Sequence, residues 1–366
     1  MPDLIVWRIQ LDDADIASVR YRCLIPARHL EALGVRSRLS WSPSDPLAGD
    51  RPGAVVFVKT FRDEDARLAE RVAAAGVPVV LDICDNVFSA GYRRSLAFPS
   101  ADAFRRMASV AGAIVTTGPE LEAVLRRELG PQAALHVVPD PVETLDEVRA
   151  AERRLWRERL RGGARSSAPA LARAAHRACR PRRRATPSIL PQVVWFGNAG
   201  HERPRYGLVD LVDIAPQLQA AAERAPFRLL VVSGDEEAYR ARIEPLGLPA
   251  AFARWDRVGI FEHLRASVLA LVPNSRDDFA ICKSPNRAVM ALRRGVPVVA
   301  TRTPSLEPLS GCVGFDDFDG EVSAYLSDPA RGAEHVQRAR AVIEREYAGP
   351  VVARAWRDIL ADVPTR

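Results

Sequence analysis

Short runs of apolar residues alternate with amphipathic stretches along most of the chain. Runs of this length, separated by helical patterns, are typical of the strands of a parallel sheet. In the first half the predicted strands are residues 3–8, 35–41, 54–59, 77–82, 113–116 and 134–138. The helices predicted between them lie near residues 19–33, 63–75, 101–109 and 120–129. This half is therefore predicted to be one doubly wound α/β domain.

The same pattern restarts in the second half of the chain. The strands predicted there are residues 193–196, 228–232, 252–255, 268–272 and 296–301, and helical stretches follow at 333–347 and 351–360. Two successive open α/β units imply a cleft as the ligand site. We expect Rossmann-like domains at residues 1–145 and 189–345, an Arg-rich linker or insert at 146–188, and a C-terminal helix at 346–366 that packs back toward the N-terminal domain.

The composition is typical of a globular protein of two domains. The chain has 366 residues, of which 48% are hydrophobic and 27% charged, and it contains no apolar run long enough to span a bilayer. Its first residues lack the basic start and long apolar core of a secretory signal, and its five scattered cysteines show no CxxC spacing. We expect a cytoplasmic protein in a reducing compartment, without a zinc site or a disulfide framework.

Positive charge is concentrated in one segment. The net charge is +6, but residues 149–184 contain thirteen arginines and two acidic residues, so the rest of the chain is acidic. Such a segment binds anionic lipid, binds nucleic acid or forms a solvated surface insertion. Leu155, Trp156 and Leu160 lie among these arginines and favour an anionic membrane surface, at the inner face of the membrane. A nucleic-acid partner is not expected, and the solvated insertion stays open.

Lysine is rare in this chain. Of 52 basic residues only Lys59 and Lys283 are lysines, which makes each of them a residue of interest. Lys283 begins the run Lys-Ser-Pro-Asn-Arg between two predicted strands, so Ser284 and Asn286 lie where a loop enters a helix. A lysine and a hydroxyl beside free helix N–H groups form a clamp for a diphosphate. A solvated loop capped by Ser284 is the alternative.

A second candidate loop, Phe196-Gly-Asn-Ala-Gly200, follows the first strand of the second domain. Its glycines allow the backbone to turn sharply and approach a ligand closely, and His201 comes next in the chain. A plain strand-to-helix turn is the alternative. Because no dinucleotide-type GxGxxG pattern is present, a Rossmann cofactor site is not expected.

The order of these motifs resembles that of GT-B glycosyltransferases. The donor-binding region of one large retaining group is similar to residues 283–287 together with the run Gly-Val-Pro-Val-Val-Ala at 295–300. This group, the glycosyltransferase family 4-like enzymes, includes sucrose and mannosyl transferases. Further matching segments lie at residues 18–22, 117–121, 138–142 and 196–200. The resemblance covers nearly the whole chain outside the Arg-rich segment and implies two Rossmann-like domains that face each other across a cleft.

The resemblance implies transfer of a sugar from a nucleotide-sugar donor to a hydroxyl acceptor, such as a surface polysaccharide or a lipid-linked glycan. It implies neither a metal nor another cofactor. The two glutamates usual in such enzymes are replaced here by Cys282 and Met290, and the usual basic pair is not recognisable, with Arg203 and Arg205 as stand-ins. The nucleotide, the sugar and the stereochemistry of transfer therefore stay open.

The motifs and the strand ends together define the candidate site residues. The donor- or nucleotide-binding candidates are Gly197, Asn198, Gly200, His201, Lys283, Ser284, Asn286 and Arg287. The catalytic candidates are Asp85, Lys283 and Glu307, and the acceptor-binding candidates are Arg20, Arg22 and Asn86. Asp85 follows a strand, where a carboxylate orients sugar hydroxyls or takes a proton from the acceptor. A buried turn at Asp85 and a solvated helix end at the two arginines are the alternatives.

Two other functions stay open. A nucleotide-sugar epimerase shares the two-domain architecture and acts without an acceptor. A non-catalytic nucleotide- or glycan-binding partner of another transferase is suggested by Cys282 and Met290, which supply no carboxylate.

Overall fold

A computed structural model of the chain describes residues 3–93, 100–161, 189–202 and 204–365. These residues form two compact units. The first unit contains the described residues up to 161, the short segment Cys282–Ser284 and the chain from Glu346 onward. The second unit contains the described residues between 189 and 281 together with 285–345. Each unit has its own sheet.

The first unit is built on one parallel sheet. Its strands are β1 (Leu4–Ile9), β2 (Arg36–Ser40), β3 (Ala54–Val58), β4 (Val79–Ile83), β5 (Ala113–Thr116) and β6 (Leu135–Val137). They lie side by side in the order β2-β1-β3-β4-β5-β6. Every residue of β1, β3, β4 and β5 is buried, which is typical of parallel strands covered by helices on both faces.

The helices of the first unit follow these strands in alternation. They are α1 (Ala17–Val19), α2 (Ile25–Ala32), α3 (Asp63–Ala74), α4 (Ala90–Arg93), α5 (Ala101–Val110), α6 (Pro119–Leu129) and α7 (Leu145–Arg161), with one π-helical turn at Arg20–Leu24. Local sequence explains several helix ends. The Ser100 hydroxyl accepts hydrogen bonds from two N–H groups in the first turn of α5, and α6 begins at Pro119.

The second unit repeats this architecture. Its strands are β7 (Gln192–Phe196), β8 (Gly200–Glu202), β9 (Arg205–Gly207), β10 (Arg228–Ser233), β11 (Ala250–Arg254), β12 (Leu269–Val272), β13 (Val298–Ala300) and β14 (Gly314–Phe315). Six of them form a parallel sheet in the order β11-β10-β7-β12-β13-β14, and β8 pairs with β9 as an antiparallel hairpin.

The helices of the second unit likewise alternate with its strands. They are α8 (Leu208–Asp213), α9 (Ala215–Arg224), α10 (Glu236–Arg242), α11 (Gly259–Arg265), α12 (Asn286–Arg293), α13 (Phe318–Ser327) and α14 (Pro329–Glu346). The last helix of the chain, α15 (Gly349–Asp362), belongs to the first unit. The predicted α/β class, with two Rossmann-like doubly wound units, is confirmed.

Helix α7 lies in the segment predicted to be an Arg-rich linker, but one of its faces packs into the first unit. Ala151 and Leu155 are part of the apolar core there. Arg154 donates to a backbone oxygen of β2 at 2.9 Å, and Arg159 donates to Asp12 at 2.8 Å. These arginines therefore have structural partners, whereas residues 162–188 of the predicted insert lie outside the described residues.

The C-terminal helix α15 contributes to the same core. The Trp356 side chain is wholly buried, and its ring lies edge-on to Trp7 with the ring centroids 5.2 Å apart. The Arg22 guanidinium lies 5.8 Å from the Trp356 ring. Gly349 allows α15 to approach α2 closely, because a Cβ at this position would lie 2.2 Å from His29 Nε2. The last helix is therefore an integral part of the first unit.

The packing of Trp356 makes α15 sensitive to truncation of this side chain. We expect Trp356→Ala to lower the free energy of unfolding by about 3–5 kcal/mol, because the lost ring leaves a cavity in the core. Chemical denaturation followed by circular dichroism measures the change. Asp358→Ala is the matched control on the same helix, since its side chain is 67% exposed, and should change stability by less than about 0.5 kcal/mol. Equal losses in both variants would contradict the packing described here.

Glu147 in the first turn of α7 makes the stability depend on pH. Its carboxylate accepts a hydrogen bond from Arg28 at 2.9 Å and lies 2.8 Å from His29 Nε2. Burial acts to raise the pKa of Glu147, but His29 and Arg28 outweigh it and hold the pKa below its usual value. A carboxyl group whose pKa is lowered by folding stabilises the protein above its unfolded-state pKa. That contribution is lost as the pH falls through the folded-state value.

We therefore expect Glu147→Gln to cost about 2 kcal/mol of stability near neutral pH and progressively less as the pH falls through the folded-state pKa of Glu147, below which the wild-type carboxylate is protonated. Guanidinium denaturation of both proteins across this pH range measures the difference. The exposed neighbour Asp146→Asn serves as the control and should show no such convergence. A stability difference that stays constant with pH would rule out this linkage.

Candidate active site

Polar side chains of the first unit gather at the carboxyl edge of its sheet. Lys59 directly follows β3, Asp82 lies near the end of β4, Asp85 comes just after β4, and Asp140 follows β6. The carboxyl ends of parallel strands form one edge, where α/β proteins bind their ligands. The strand order of the folded sheet therefore brings these groups to one edge.

The carboxylate of Asp85 binds both lysines of the chain. Lys59 Nζ contacts one carboxylate oxygen of Asp85, and Lys283 Nζ contacts the other. The Asp85 side chain is 8% exposed, while the two lysine side chains are 28% and 33% exposed. Lys59 has a φ of 49°, a left-handed backbone conformation that residues other than glycine seldom adopt. The predicted catalytic residues Asp85 and Lys283 are thus brought together.

These contacts determine the acid–base character of Asp85. Burial acts to raise its pKa, but Lys283 and Lys59 outweigh burial and hold the pKa well below the usual range of a carboxyl group. Burial would likewise lower the pKa of Lys59, but the charge of Asp85 raises it well above the usual value. A carboxylate of such low basicity is a weak proton acceptor. The geometry therefore favours an orienting or electrostatic role for Asp85 over that of a general base.

Arg22 links two further carboxylates of this edge. Its side chain is wholly buried and donates to Asp82 at 2.7 Å, to Asp140 at 3.2 Å and to the backbone oxygen of Val138 at 2.7 Å. Burial acts to lower the pKa of Arg22, but Asp82 and Asp140 raise it above its usual value. The Ser284 hydroxyl donates to Asp140 at 2.5 Å. The run 282–284 is therefore held to the first unit through both Asp85 and Asp140.

The other acceptor-binding candidates are also buried. Arg20 bonds to Glu143, which also accepts a hydrogen bond from the Tyr21 hydroxyl at 3.2 Å. Asn86 is 1% exposed, and its side-chain oxygen accepts a hydrogen bond from the N–H of Phe88 at 3.0 Å. These side chains order the loops at the sheet edge, and neither arginine is the solvated helix end that the sequence left open.

In the second unit, the predicted glycine loop opens the β8–β9 hairpin. Gly200 and Gly207 lie opposite each other, with φ angles of 75° and 96°. A Cβ on Gly200 would lie 1.8 Å from the carbonyl oxygen of Tyr206, so only glycine fits there. The exposed ring of His201 lies edge-on to that of Tyr206, with centroids 5.8 Å apart. The loop thus leads into a β-hairpin, and not directly into a helix as a plain strand-to-helix turn would.

Arg287 lies beside this loop. A Cβ on Gly197 would lie 3.5 Å from a guanidinium nitrogen of Arg287, which comes from the first turn of α12. The guanidinium donates to Asn274 at 2.8 Å. Burial lowers the pKa of Arg287, although the nearby Asp210 acts to raise it. Asn286, the first residue of α12, precedes it. A cation, a glycine turn and a helix N-terminus are therefore assembled at one edge of this sheet.

The remaining predicted residues have partners of their own. Glu307 lies in a 3₁₀ helix, is 57% exposed and accepts a hydrogen bond from Arg302 at 3.0 Å. Arg205 donates to Asp213 at 2.6 Å on the surface of the second unit. Arg203 lies outside the described residues. Glu307 is therefore paired on the surface, whereas Arg205 lies next to the Asp210 region, because its carbonyl oxygen accepts a hydrogen bond from Ser275 at 3.4 Å.

Residues such as Lys59, Asp82, Asp140 and Asp210 belong to these clusters but were not among the sequence candidates. Asp210 accepts hydrogen bonds from the N–H groups of Gly207 and Ser275, both at 3.0 Å, and so fixes the end of the hairpin. The rarity of lysine and its place at the end of a buried strand were the signal for Lys59. Asp82 ends a predicted strand and Asp140 lies in the matching segment 138–142, whereas the sequence carries no comparable signal for Asp210.

Comparison with solved structures identifies the fold. The structure matches HepE of Anabaena in complex with UDP-glucose with a TM-score of 0.63 and 12% identity, over 98% of this chain and 99% of that chain. It matches sucrose-phosphate synthase of Thermosynechococcus elongatus with a TM-score of 0.61 and 16% identity, over 98% of this chain and 99% of that chain. It also matches a glycosyltransferase of Rickettsia africae with a TM-score of 0.58 and 12% identity, over 98% of each chain.

These similarities show that the chain has the GT-B fold, which confirms the prediction from the sequence motifs. At this level of identity they establish the fold alone. No protein-family model matches the chain, and no curated protein matches it.

Two further findings concern metals and membranes. Within the described ranges, no group of three or more His, Cys, Asp or Glu side chains is arranged to hold a metal ion. None of the helices in that part of the chain combines the length and the apolar character needed to cross a bilayer. The metal-independent donor site stays a prediction.

The close approach of the hairpin strands can be tested at Gly200. We expect Gly200→Ala to lower the free energy of unfolding by about 3 kcal/mol, because its Cβ would collide with backbone at 1.8 Å. Gly247→Ala is the matched control, since Gly247 has a similar φ of 71° but no atom within 4 Å of the added Cβ. It should cost about 1 kcal/mol from backbone strain alone. Equal losses in thermal denaturation would show that the strands are not so close.

Proposed function

We propose that this chain is a glycosyltransferase that moves a sugar from a nucleotide-sugar donor to a hydroxyl group of an acceptor. The observation that carries the proposal is the position of Arg287 beside the Gly197 turn, at the carboxyl edge of the second sheet. A glycine turn lets the backbone approach a ligand, and a guanidinium matches the geometry of phosphate oxygens. The combination suits the diphosphate of a nucleotide-sugar.

The same groups would act on the leaving group. Negative charge develops on the nucleoside diphosphate as its bond to the sugar breaks. Arg287 and the N–H groups of the helix that begins at Asn286 form a preorganised positive environment that would stabilise this diphosphate. Asn198 and His201, which follow Gly197, keep their predicted donor-binding roles in this proposal. So do Lys283 and Ser284.

The chemical class of the donor is a nucleoside diphosphate sugar. HepE, which shares this fold, has been solved in complex with UDP, with UDP and glucose, and with UDP-glucose. Those ligands support testing UDP first with this chain. For the acceptor we propose a surface polysaccharide or a lipid-linked glycan, on the basis of the motif resemblance.

Helix α7 supports contact with an anionic membrane surface as part of this proposal. Its exposed side chains Arg153, Trp156, Arg157 and Leu160 recur at the spacing of one helical face. The two apolar members are 40% and 77% exposed. Exposed apolar residues flanked by arginines are typical of helices that lie on anionic lipid. Such contact would bring the protein close to a lipid-linked acceptor.

A non-catalytic nucleotide- or glycan-binding protein is the second candidate. Cys282 and Met290 are 4% and 3% exposed, so the positions of the two family glutamates present neither a carboxylate nor an open surface. Such a protein would bind nucleotide without consuming a nucleotide-sugar. An epimerase of the same fold would convert the donor without any acceptor.

The proposal predicts selective nucleotide binding that depends on Arg287. Calorimetric titration with UDP, GDP, CMP, ADP and dTDP should show one nucleotide bound in preference to the others. Arg287→Ala should weaken that binding at least about tenfold, or about 1.4 kcal/mol. Arg293→Ala is the matched control, because Arg293 lies on the same helix, is 39% exposed and contacts only the surface residue Glu344 among its described ion pairs. It should bind like the wild type.

The two variants and a turnover assay separate the candidates. If no nucleotide binds, or if Arg287→Ala binds like Arg293→Ala, the donor site is wrongly assigned. Binding without consumption of the matching nucleotide-sugar, in the presence of a panel of glycan acceptors, would favour the non-catalytic role. Conversion of the donor into its epimer in the absence of acceptor would favour the epimerase.

A further inference from the structure

Both lysines of this chain contact the same carboxylate. The chain has 52 basic residues, and the two that are lysine, Lys59 and Lys283, are separated by more than half of the sequence. Both nevertheless bind Asp85, one at each carboxylate oxygen. In a chain with this preference for arginine, two lysines at one position indicate a requirement that a guanidinium does not meet.

The chemistry of the ammonium group explains such a requirement. An ammonium is a compact charge with three N–H donors on a flexible stem, whereas a guanidinium is a planar fork. Two ammonium groups on one carboxylate can both turn toward a second anion without leaving the first. A guanidinium paired with Asp85 would fill both carboxylate oxygens with its fork and leave less room for a second anion.

The accessible part of the cluster is its positive part. Each carboxylate oxygen of Asp85 contacts one lysine, while the other carboxylates of this edge, Asp82 and Asp140, are bound to Arg22. Solvent reaches the lysines, which are 28% and 33% exposed, but hardly reaches Asp85, which is 8% exposed. A dissolved anion therefore meets the lysine side chains more readily than the carboxylate of Asp85.

The neighbouring strand end adds a hydrogen-bond donor. Thr117 follows β5, the strand that pairs with β4, and therefore lies at the same edge of the sheet as Asp85. Its side chain is 4% exposed, and its hydroxyl has no hydrogen-bond partner among the residues that the structure describes. A buried hydroxyl without a partner is costly, so it indicates a group that is supplied by a ligand.

We propose that Lys59 and Lys283 form a subsite for a phosphoryl group, and that Asp85 holds the two ammonium groups in place until this group binds. The inference rests on the proposed glycosyl transfer, in which the phosphoryl group belongs either to the diphosphate of the donor or to a phosphorylated acceptor. The subsite binds the same chemistry in both cases. Asp85 then serves as a positioning residue and as a competitor of the bound anion.

Inorganic phosphate is the probe for this subsite. Phosphate is titrated calorimetrically into the full chain at constant ionic strength, with sodium chloride as the compensating salt. We expect saturable binding that Lys59→Gln and Lys283→Gln each weaken at least about tenfold, because each variant removes one charge–charge contact. Arg36→Gln is the matched control, since Arg36 pairs with Asp50 on the surface and its side chain is 63% exposed. It should bind phosphate like the wild type.

Asp85→Asn separates this proposal from a purely structural ion pair. The substitution removes the competing charge but keeps the shape, so phosphate should bind at least about threefold more tightly than to the wild type. Phosphate should also raise the Tm of this variant by more than that of the wild type. A structural role alone would leave phosphate binding unchanged. No binding to the wild type, equal binding by Lys59→Gln, or no gain in Asp85→Asn would each overturn the proposal.

Titration in the presence of saturating nucleotide identifies the source of the phosphoryl group. Displacement of phosphate by the nucleotide that binds best assigns the subsite to the donor. Simultaneous binding of both assigns it to a phosphorylated acceptor. The two proposals also fail separately. Phosphate binding without any nucleotide binding keeps the subsite and removes the donor site, whereas nucleotide binding without phosphate binding removes the subsite alone.

Discussion

The first unit depends on the buried guanidinium of Arg22. This side chain has no exposed surface and donates to Asp82, Asp140 and the backbone oxygen of Val138. A buried cation is tolerated only when its charge and its N–H groups are satisfied, and the loss of one partner leaves an uncompensated charge. The ends of β4 and β6 must therefore converge on one point, which places the loops that follow them.

Several features of the candidate site follow from this constraint. Asp140 binds Arg22 with one oxygen and accepts from Ser284 with the other, so the position of the neighbouring Lys283 depends on the buried cation. The ring of Trp356 covers the guanidinium from the C-terminal helix. The last helix of the chain is thereby coupled to the loops that hold Asp85. Neither Arg22 nor Trp356 needs to touch a substrate to determine the geometry of the site.

The sequence predicts the sheets well but not their short additions. Strands such as β3 and β4 are buried on both faces, so they appear as continuous apolar runs that are recognised without knowing their neighbours. The strands β8, β9 and β14 have three, three and two residues, too few to show a periodic pattern. They form because the fold aligns them with a partner strand.

The residues of the candidate site show the same difference between what the sequence predicts and what the tertiary structure decides. The local pattern of the chain predicted that Asp85 follows a strand at a sheet edge, and the motif at residues 283–287 pointed to Lys283 and Arg287. Only the tertiary structure decided which of these groups meet, since Asp85 and Lys283 are 198 positions apart and Arg22 is 60 positions from Asp82. The physical reason is that periodicity reports burial over a few residues. Charge pairing, and with it the burial of Arg20 and Arg22 and the protonation of Asp85, depends on partners that only the folded chain brings within bonding distance.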